Sequence, residues 1–345
     1  MKVTLKDIAE KTGYSLSTIS RALRGSEKIS DSAKQEIIGT ARQLGYPLPG
    51  PHRTDGASSG TLNVLVIVTT EHIDLFYATF YDGFNLAARN QEIQLFLLRV
   101  QRSKERLYEV MDQLGYRNYD GIVLFTPELK QNDYELLKEE IPENYPIVSN
   151  GLIENPVFDT ITFDSYRGGH LVAEHFEKQG AKEVGIIRGP FDKVEARYRN
   201  NGFCDFIEQS DSLNLIWNYE GDFTYDAGVQ AFHEYHQLSR KPEAVFVSND
   251  TMCYGFMLTA QRNGYQVPGD VALVGYDDLP LSSQIYPAIT SVHTDFMELG
   301  SASLDILMDL IENPRPPKGM LSLVPLRLKV RDSSKQKKTT QKPNR

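Results

Sequence analysis

The chain has 345 residues, 40% of them hydrophobic and 24% charged, with a net charge of −9. That length exceeds a single core and calls for two or three domains, while no apolar run reaches the ~20 residues a membrane span needs. Only two cysteines occur, Cys204 and Cys253, and both read as buried thiols in apolar helical contexts rather than as a disulfide framework.

The charge is unevenly spread. Residues 1–53 hold nine Lys/Arg against five Asp/Glu, residues 331–345 hold six against one, and the middle is strongly acidic. A basic head on an acidic body suits phosphate contact by the head. The first residues lack the apolar stretch of a secretory signal, so a cytoplasmic location is expected.

The head opens with Thr4 and Asp7, spaced as a capping box in which Asp replaces the usual Glu. Leu5, Ile8 and Ala9 then share a helical face, and Gly13 ends the helix where positive φ is needed. Ser15 can cap a second helix, with Ile19, Ala22 and Leu23 inward and Leu16, Ser17, Ser20 and Arg21 outward. Ser30 can cap a third, with Ala33, Ile37, Ile38, Ala41 and Leu44 as its stripe, stopped by Gly45 and Pro47. Two helices around a tight turn, braced by a third, make a helix-turn-helix. Its outward face suits a major groove: Leu16 for a thymine methyl, Ser17 as donor or acceptor, the Arg21 fork for guanine. Thr4, Ser15, Thr18 and Ser20 are placed to hold phosphates.

The elements "TLKDIA", "GYS", "TISRAL" and "LGY", in this order, resemble the head of the lactose/galactose repressor (LacI/GalR) family. The resemblance implies that Leu16, Ser17 and Arg21 read bases in operator DNA. Such heads are usually followed by a hinge helix of the form N-x-x-A-R-x-L. Here residues 47–60 read "PLPGPHRTDGASSG", with no such element. Alternate prolines favour extended polyproline structure, and the rest is Gly/Ser-rich tether. Leu48 is its one large aliphatic residue, and His52 and Arg53 are its candidates for touching backbone or groove.

From residue 61 to 330 the chain alternates apolar strand runs with helices. The strands are expected at 62–69, 93–100, 121–125, 146–149, 160–163, 184–187, 213–219, 244–247, 271–274 and 290–292. Continuous apolar strands between helices mean parallel sheets covered on both faces. Ten strands in two sets of about five predict two doubly wound α/β subdomains, with ligand bound outside the carboxyl ends of the strands.

Stretches such as "ARYRNNGF", "AVFVSNDTMCYG" and "VPGDVALVGYDDLP" are similar to the family's core, itself similar to periplasmic sugar-binding proteins. The resemblance covers nearly the whole chain and implies three crossings between subdomains, near Asp164, Thr294 and Leu321. It assigns effector contacts to Arg199, Asn249 and Asp277, weaker ones to Asn150 and Asp164, and aromatic contacts to Phe76, Tyr77 and Phe223. His72 and Asp74 would gate the cleft, and Lys193 and Glu195 would tune specificity. Arg, Asp and Asn together offer the donors and acceptors that sugar hydroxyls require.

No P-loop, nucleophile elbow, metal-ligand spacing or dinucleotide fingerprint is found. Neither an enzyme nor a cofactor is expected. The basic tail, 331–345, reads as disordered. It shows no leucine-heptad helix of the kind that tetrameric relatives carry, so a homodimer reading a pseudo-palindrome is expected. The expected protein is a transcriptional regulator, a repressor, with a sugar as effector; the alternatives are a purine or a protein co-repressor, and, from other classes, a solute-binding protein or a sugar-modifying enzyme on this fold.

Overall fold

The structure, a computed structural model, describes residues 4–23, 29–44, 46, 61–70, 73–89, 91–100, 107–113 and 115–335. The linker 47–60 with Leu48, His52 and Arg53, the loop residue His72, and tail residues 336–345 lie outside them.

The head is three helices: α1 (Leu5–Thr12), α2 (Leu16–Leu23) and α3 (Asp31–Leu44). The Thr4 amide donates to Asp7 Oδ2 at 2.6 Å, and the Thr4 hydroxyl turns to the same carboxylate. Gly13 closes α1 at φ 72°, its N–H reaching the Ala9 carbonyl, a left-handed cap that costs a residue without Cβ nothing. Ile8, Ile19, Ala22, Leu23, Ile37 and Ala41 form the core, with Ala33 also buried and Ile38 and Leu44 at its edge. Tyr14 and Tyr46 join that edge, and Tyr14 ties the turn to α3 by donating to Glu36 at 3.1 Å.

Among its described residues the body has twelve strands, not ten: β1 (Leu62–Thr69), β2 (Ile93–Val100), β3 (Gly121–Phe125), β4 (Ile147–Ser149), β5 (Asp159–Phe163), β6 (Glu183–Arg188), β7 (Asn214–Glu220), β8 (Ala244–Val247), β9 (Ala272–Asp277), β10 (Thr290–His293), β11 (Leu321–Val324) and β12 (Arg327–Lys329). They form two six-stranded sheets, ordered β11-β5-β4-β3-β1-β2 and β12-β10-β9-β8-β6-β7. Each set of five gains an edge strand that the pattern did not reveal. Pairing is parallel throughout except for β12, which runs antiparallel to β10.

Helices cover the sheets: α4 (Leu75–Ala88), α5 (Leu107–Gln113), α6 (Gln131–Glu140) and α11 (Phe296–Glu312) on the first, and α7 (Ser165–Gln179), α8 (Val194–Gln209), α9 (Tyr225–Gln237) and α10 (Asp250–Arg262) on the second. Central strands such as β1 and β8 are buried on both faces, which is why they read as unbroken apolar runs.

The chain passes between sheets after β5 at Asp164 and after β10 at Thr294, as expected. The third crossing falls between Val324 and Arg327, not at Leu321, which opens β11. The tail also begins later than composition suggested. Ser333 and Ser334 are buried, Ser333 accepting from the Thr290 amide at 2.8 Å and donating to the Leu273 carbonyl at 2.7 Å. Small hydroxyl side chains that satisfy strand-end backbone groups can be buried despite a polar, basic composition.

Candidate functional site

Two sites emerge, one on the head and one in the body. On α2, Ile19, Ala22 and Leu23 fill the core, so helical periodicity turns Leu16, Ser17 and Arg21 outward, and all three are exposed, Leu16 at 44%. Ser15 begins the helix, accepting from the Thr18 amide at 3.2 Å, and its hydroxyl meets those of Ser17 (2.9 Å) and Thr18 (2.8 Å). Thr4 and Ser15 are exposed; Thr18 and Ser20 are half-buried. The structure therefore places Thr4 at the N-terminus of α1, Ser15, Leu16, Ser17 and Thr18 at that of α2, and Ser20 and Arg21 in the last turn of α2, a set of groups suited to phosphate oxygens and base edges.

In the body, the loops that follow β3 and β4 meet the segment that follows β6. Lys193 pairs with Glu128 at 2.7 Å, Arg197 pairs with Glu154, and Glu195 Oε1 accepts from the Leu152 amide at 3.1 Å. The carboxyl ends of both sheets thus face each other. Helix α8 carries Arg199 to this junction. Its placement is fixed by close packing on α7, because a Cβ at Gly169 would strike the Arg199 carbonyl and one at Gly202 the Tyr166 carbonyl.

The Arg199 guanidinium lies 3.7 Å over the Tyr276 ring and donates to the Ser248 carbonyl at 2.6 Å. It stands 3.6 Å from Asp277 Oδ1, a Coulombic contact too long for a hydrogen bond. Asp277 is 4% exposed. Burial pushes its carboxyl well above the usual range, with Arg199 opposing that shift. Burial also raises Glu195, against the hydrogen bond from Leu152 and the nearby cations.

Phe223 sits at φ 72°, its ring filling the space that Gly189 leaves, with Lys193 and Arg199 each 5.8 Å from its centroid. Such backbone strain in a non-glycine residue clusters at functional sites. On the facing subdomain, Phe76 and Tyr77 belong to an aromatic cluster with Phe125 and Phe296 and are half-buried. Burial lifts the Tyr77 hydroxyl to about 12.

Several buried polar atoms lack a hydrogen-bond partner at these strand ends: Thr69 Oγ1, Asn150 Oδ1, Ser248 Oγ, Asp277 Oδ1 and Arg199 Nε. Native proteins leave few such groups without a reason, and convergent polar groups between two lobes are what a small-ligand site offers.

Three predicted contacts are also engaged in the framework. Asn249 caps α10, accepting from the Met252 amide and donating to the Phe223 carbonyl at 2.9 Å. Asp164 caps α7 through the Arg167 amide at 2.9 Å. Asn150, 1% exposed, commits its amide N–H groups to the Ile161 carbonyl and Ser303. Asp74 caps α4.

Comparison with known proteins supplies the remaining evidence. Residues 4–47 match the model for bacterial regulatory proteins of the lacI family, and residues 173–334 match the periplasmic binding protein-like domain. The chain thus joins a LacI-family helix-turn-helix head to a periplasmic-binding-protein-like body. It is 27% identical over 333 residues to the HTH-type transcriptional repressor PurR of Mannheimia succiniciproducens, covering 96% of this chain and 98% of that one. It is equally 27% identical to the ribose operon repressor of Escherichia coli, over 94% of this chain and 97% of that one. Among solved structures, the complex of the regulator CelR with cellobiose is 26% identical, with a TM-score of 0.68 over 96% of this chain and 100% of that one. The lac repressor dimer bound to operator and an anti-inducer has a TM-score of 0.70 at 24% identity, over 97% and 99%, and attests the fold.

Within this periplasmic-binding-protein-like body, the sequence did not single out Glu128, Leu152, Glu154 or Arg197 as bridges across the junction. Glu128, Leu152 and Glu154 lie in loops and Arg197 in α8, and only the residue that the other lobe contributes to each pair gives it meaning. For Glu128, Glu154 and Arg197 the sole signal was charge, and for Leu152, which contributes its backbone amide, there was none.

Proposed function

We propose that this LacI-family protein is an effector-responsive, sequence-specific DNA-binding transcriptional regulator, a repressor, that acts as a homodimer in the cytoplasm and is not an enzyme. The observation that carries the reading is the outward face of α2, where Leu16, Ser17 and Arg21 stand exposed on a helix whose other face is packed. In this reading Leu16, Ser17 and Arg21 contact base edges, and Thr4, Ser15, Thr18 and Ser20 hold phosphates.

The effector is a small polar solute, a sugar, held between the lobes by Arg199, Asn249 and Asp277 with Phe223, Phe76 and Tyr77 against its ring; Asn150 offers its free oxygen and Asp164 lies at the first crossing. A sugar is supported by the ribose operon repressor among the relatives and by a ribose-bound LacI-family regulator from Enterococcus faecium among the similar structures. A purine is the second reading, supported by the equal identity to the PurR repressor. No cofactor is part of the mechanism. The effector acts by favouring one placement of the lobes, and that placement by favouring or opposing the spacing of the two heads.

The test is binding of the full-length protein to fragments of its own genome, with and without a panel of sugars and purines. Expected are retention of a pseudo-palindromic site at physiological salt and a changed affinity with one solute class. Binding with no sequence preference at any salt would overturn the reading.

A further inference from the structure

Asp277 and Asp278 stand consecutively in the left-handed region, at φ 104° and φ 55°. Neither is glycine, and such a conformation persists only where the surroundings over-determine it. The Asp277 carbonyl is held by the Thr294 hydroxyl at 2.8 Å, and the Asp278 amide donates to Ser291 Oγ at 3.0 Å. The Asp278 carboxylate, 8% exposed, meets His293 Nδ1 at 2.8 Å on Oδ2 and the Arg331 guanidinium at 2.6 Å on Oδ1. The Arg331 contact is ionic rather than a well-aligned hydrogen bond.

The holders are themselves anchored. Arg331 also donates to the Ile289 carbonyl at 2.7 Å, and its amide to Thr290 Oγ1 at 2.8 Å. His293 Nε2 lies 3.7 Å from Asp295, which caps α11 and stands 3.6 Å from Arg327. On the far side, Asp250 accepts from Ser291 at 2.7 Å, Ser282 at 2.6 Å and the Leu279 amide at 2.8 Å. The strained pair is thus gripped by the two segments through which the chain enters and leaves the second subdomain. His293, Thr294 and Asp295 straddle the second crossing, and directly after the third Arg327 opens β12 and Arg331 follows it.

We propose that Asp278, His293 and Arg331 form a clasp that aims Asp277, acting as positioning residues that tie its direction to the crossings between the lobes. The proposal rests on the reading of Asp277 as an effector contact. The clasp acts through backbone 277–278. When the lobes rotate about the crossings, the anchor of the carboxyl moves with them, so capture of the solute and placement of the lobes share one mechanical element.

The test uses the full-length chain and two variants that both loosen the segment after β12. Arg331→Gln removes the clasp contact; Ser333→Ala removes the bonds to Thr290 and Leu273 and leaves Asp278 untouched. Hydrogen exchange is followed at amides 277–279, in β8 and in β1. Arg331→Gln is expected to speed exchange at 277–279 by about tenfold with β8 and β1 unchanged, whereas Ser333→Ala leaves 277–279 within about twofold of the parent. Unchanged exchange at 277–279 in Arg331→Gln, an equal rise in both variants, or a rise spread through β8 and β1 would overturn the clasp.

Calorimetry with D-ribose and with cellobiose as probes adds the second readout. Where the parent binds either, Arg331→Gln should weaken it by about tenfold and Ser333→Ala by less than about twofold, since only the first re-aims a charged hydrogen-bonding group; equal losses would overturn the positioning role. Should neither probe bind the parent, that failure falls on the choice of effector, and the exchange pattern still decides the clasp.

Discussion

The head holds its reading groups in solvent, whereas the body hides its own. Leu16, Ser17 and Arg21 stand exposed on α2, while the Arg199 and Asp277 side chains are only 12% and 4% exposed, with strained backbone at Phe223, Asp277 and Asp278. The difference follows from the partner. A duplex brings a large array of phosphates and base edges from outside, and exposed side chains can adjust to it while the opposite helix face keeps the fold. A small solute brings few groups, so the site must remove water and fix its polar atoms in advance. The body therefore carries unpartnered buried atoms and left-handed non-glycine residues, and among the described head residues neither feature occurs.

The largest effect should come from the hidden site. Asp277→Ala is expected to lower affinity for the effector by about a hundredfold, the scale of a lost charged hydrogen bond in a buried setting, measured by calorimetry. Operator affinity without effector should stay within about twofold, because additivity holds for distant sites. A loss of operator binding in this variant would break the division between head and body. Arg21→Ala comes next: specific operator affinity is expected to fall about ten- to a hundredfold by fluorescence anisotropy, the range for one bidentate base contact. Because Arg21 is exposed and outside the core, the melting temperature should move by about a degree or less. A clear drop in melting temperature would show that the α2 face supports the fold and is not free to read.

The same contrast explains what was legible in the sequence. The head and the central strands were plain, because periodicity and burial coincide there: β1, β3 and β8 begin and end where the apolar runs do. β11 and β12 were not, since both are short edge strands with exposed residues such as Leu321 and Leu323, interrupted by Pro325. At the body site, residue type at a strand end was visible but its use was not. Asn249 and Asp164 cap helices with the same oxygens that could hold a solute, and no local pattern separates the two uses. Arg331 was hidden more deeply. It opens a basic, polar segment, and its partner Asp278 lies far away in the chain, so only the folded sheet brings them together.

Buried charge also gives the body a pH signature. Asp250 is fully buried, and burial raises its carboxyl to about 7 against the hydrogen bonds from Ser282, Ser291 and Leu279. The unfolded value is about 3.9, so between roughly pH 4 and 7 the folded chain keeps a proton that the unfolded chain has released. Stability from this group is therefore present at low pH and lost as pH rises to about 7. Asp250→Asn removes the titration. Measured by calorimetric melting, the variant should gain a few degrees relative to the parent between about pH 4.5 and 7.5, with no further change above about pH 8. The described acids of the head are all exposed, so the window belongs to the body; a parallel pH dependence in parent and variant would remove Asp250 as its source.

The smallest effect tests where the hidden site ends. Lys193 and Glu128 join the lobes at 2.7 Å, their side chains 21% and 18% exposed, between the exposure of Arg21 and the burial of Asp277. Partly solvated pairs contribute about 0.2–1 kcal/mol, so Lys193→Ala should weaken effector binding by only about two- to fivefold, through loss of a contact that favours closed lobes. Glu128→Gln should match it, and the double variant should be no worse than either single one, because both remove one interaction. At about 1 M salt the difference from the parent should shrink, since screening reaches partly exposed charges first. Lys193 also lies 5.8 Å from the Phe223 centroid, which sharpens the outcome. A loss beyond about tenfold, insensitive to salt and not shared by Glu128→Gln, would mean that Lys193 touches the solute itself and that the body's grip extends to its rim.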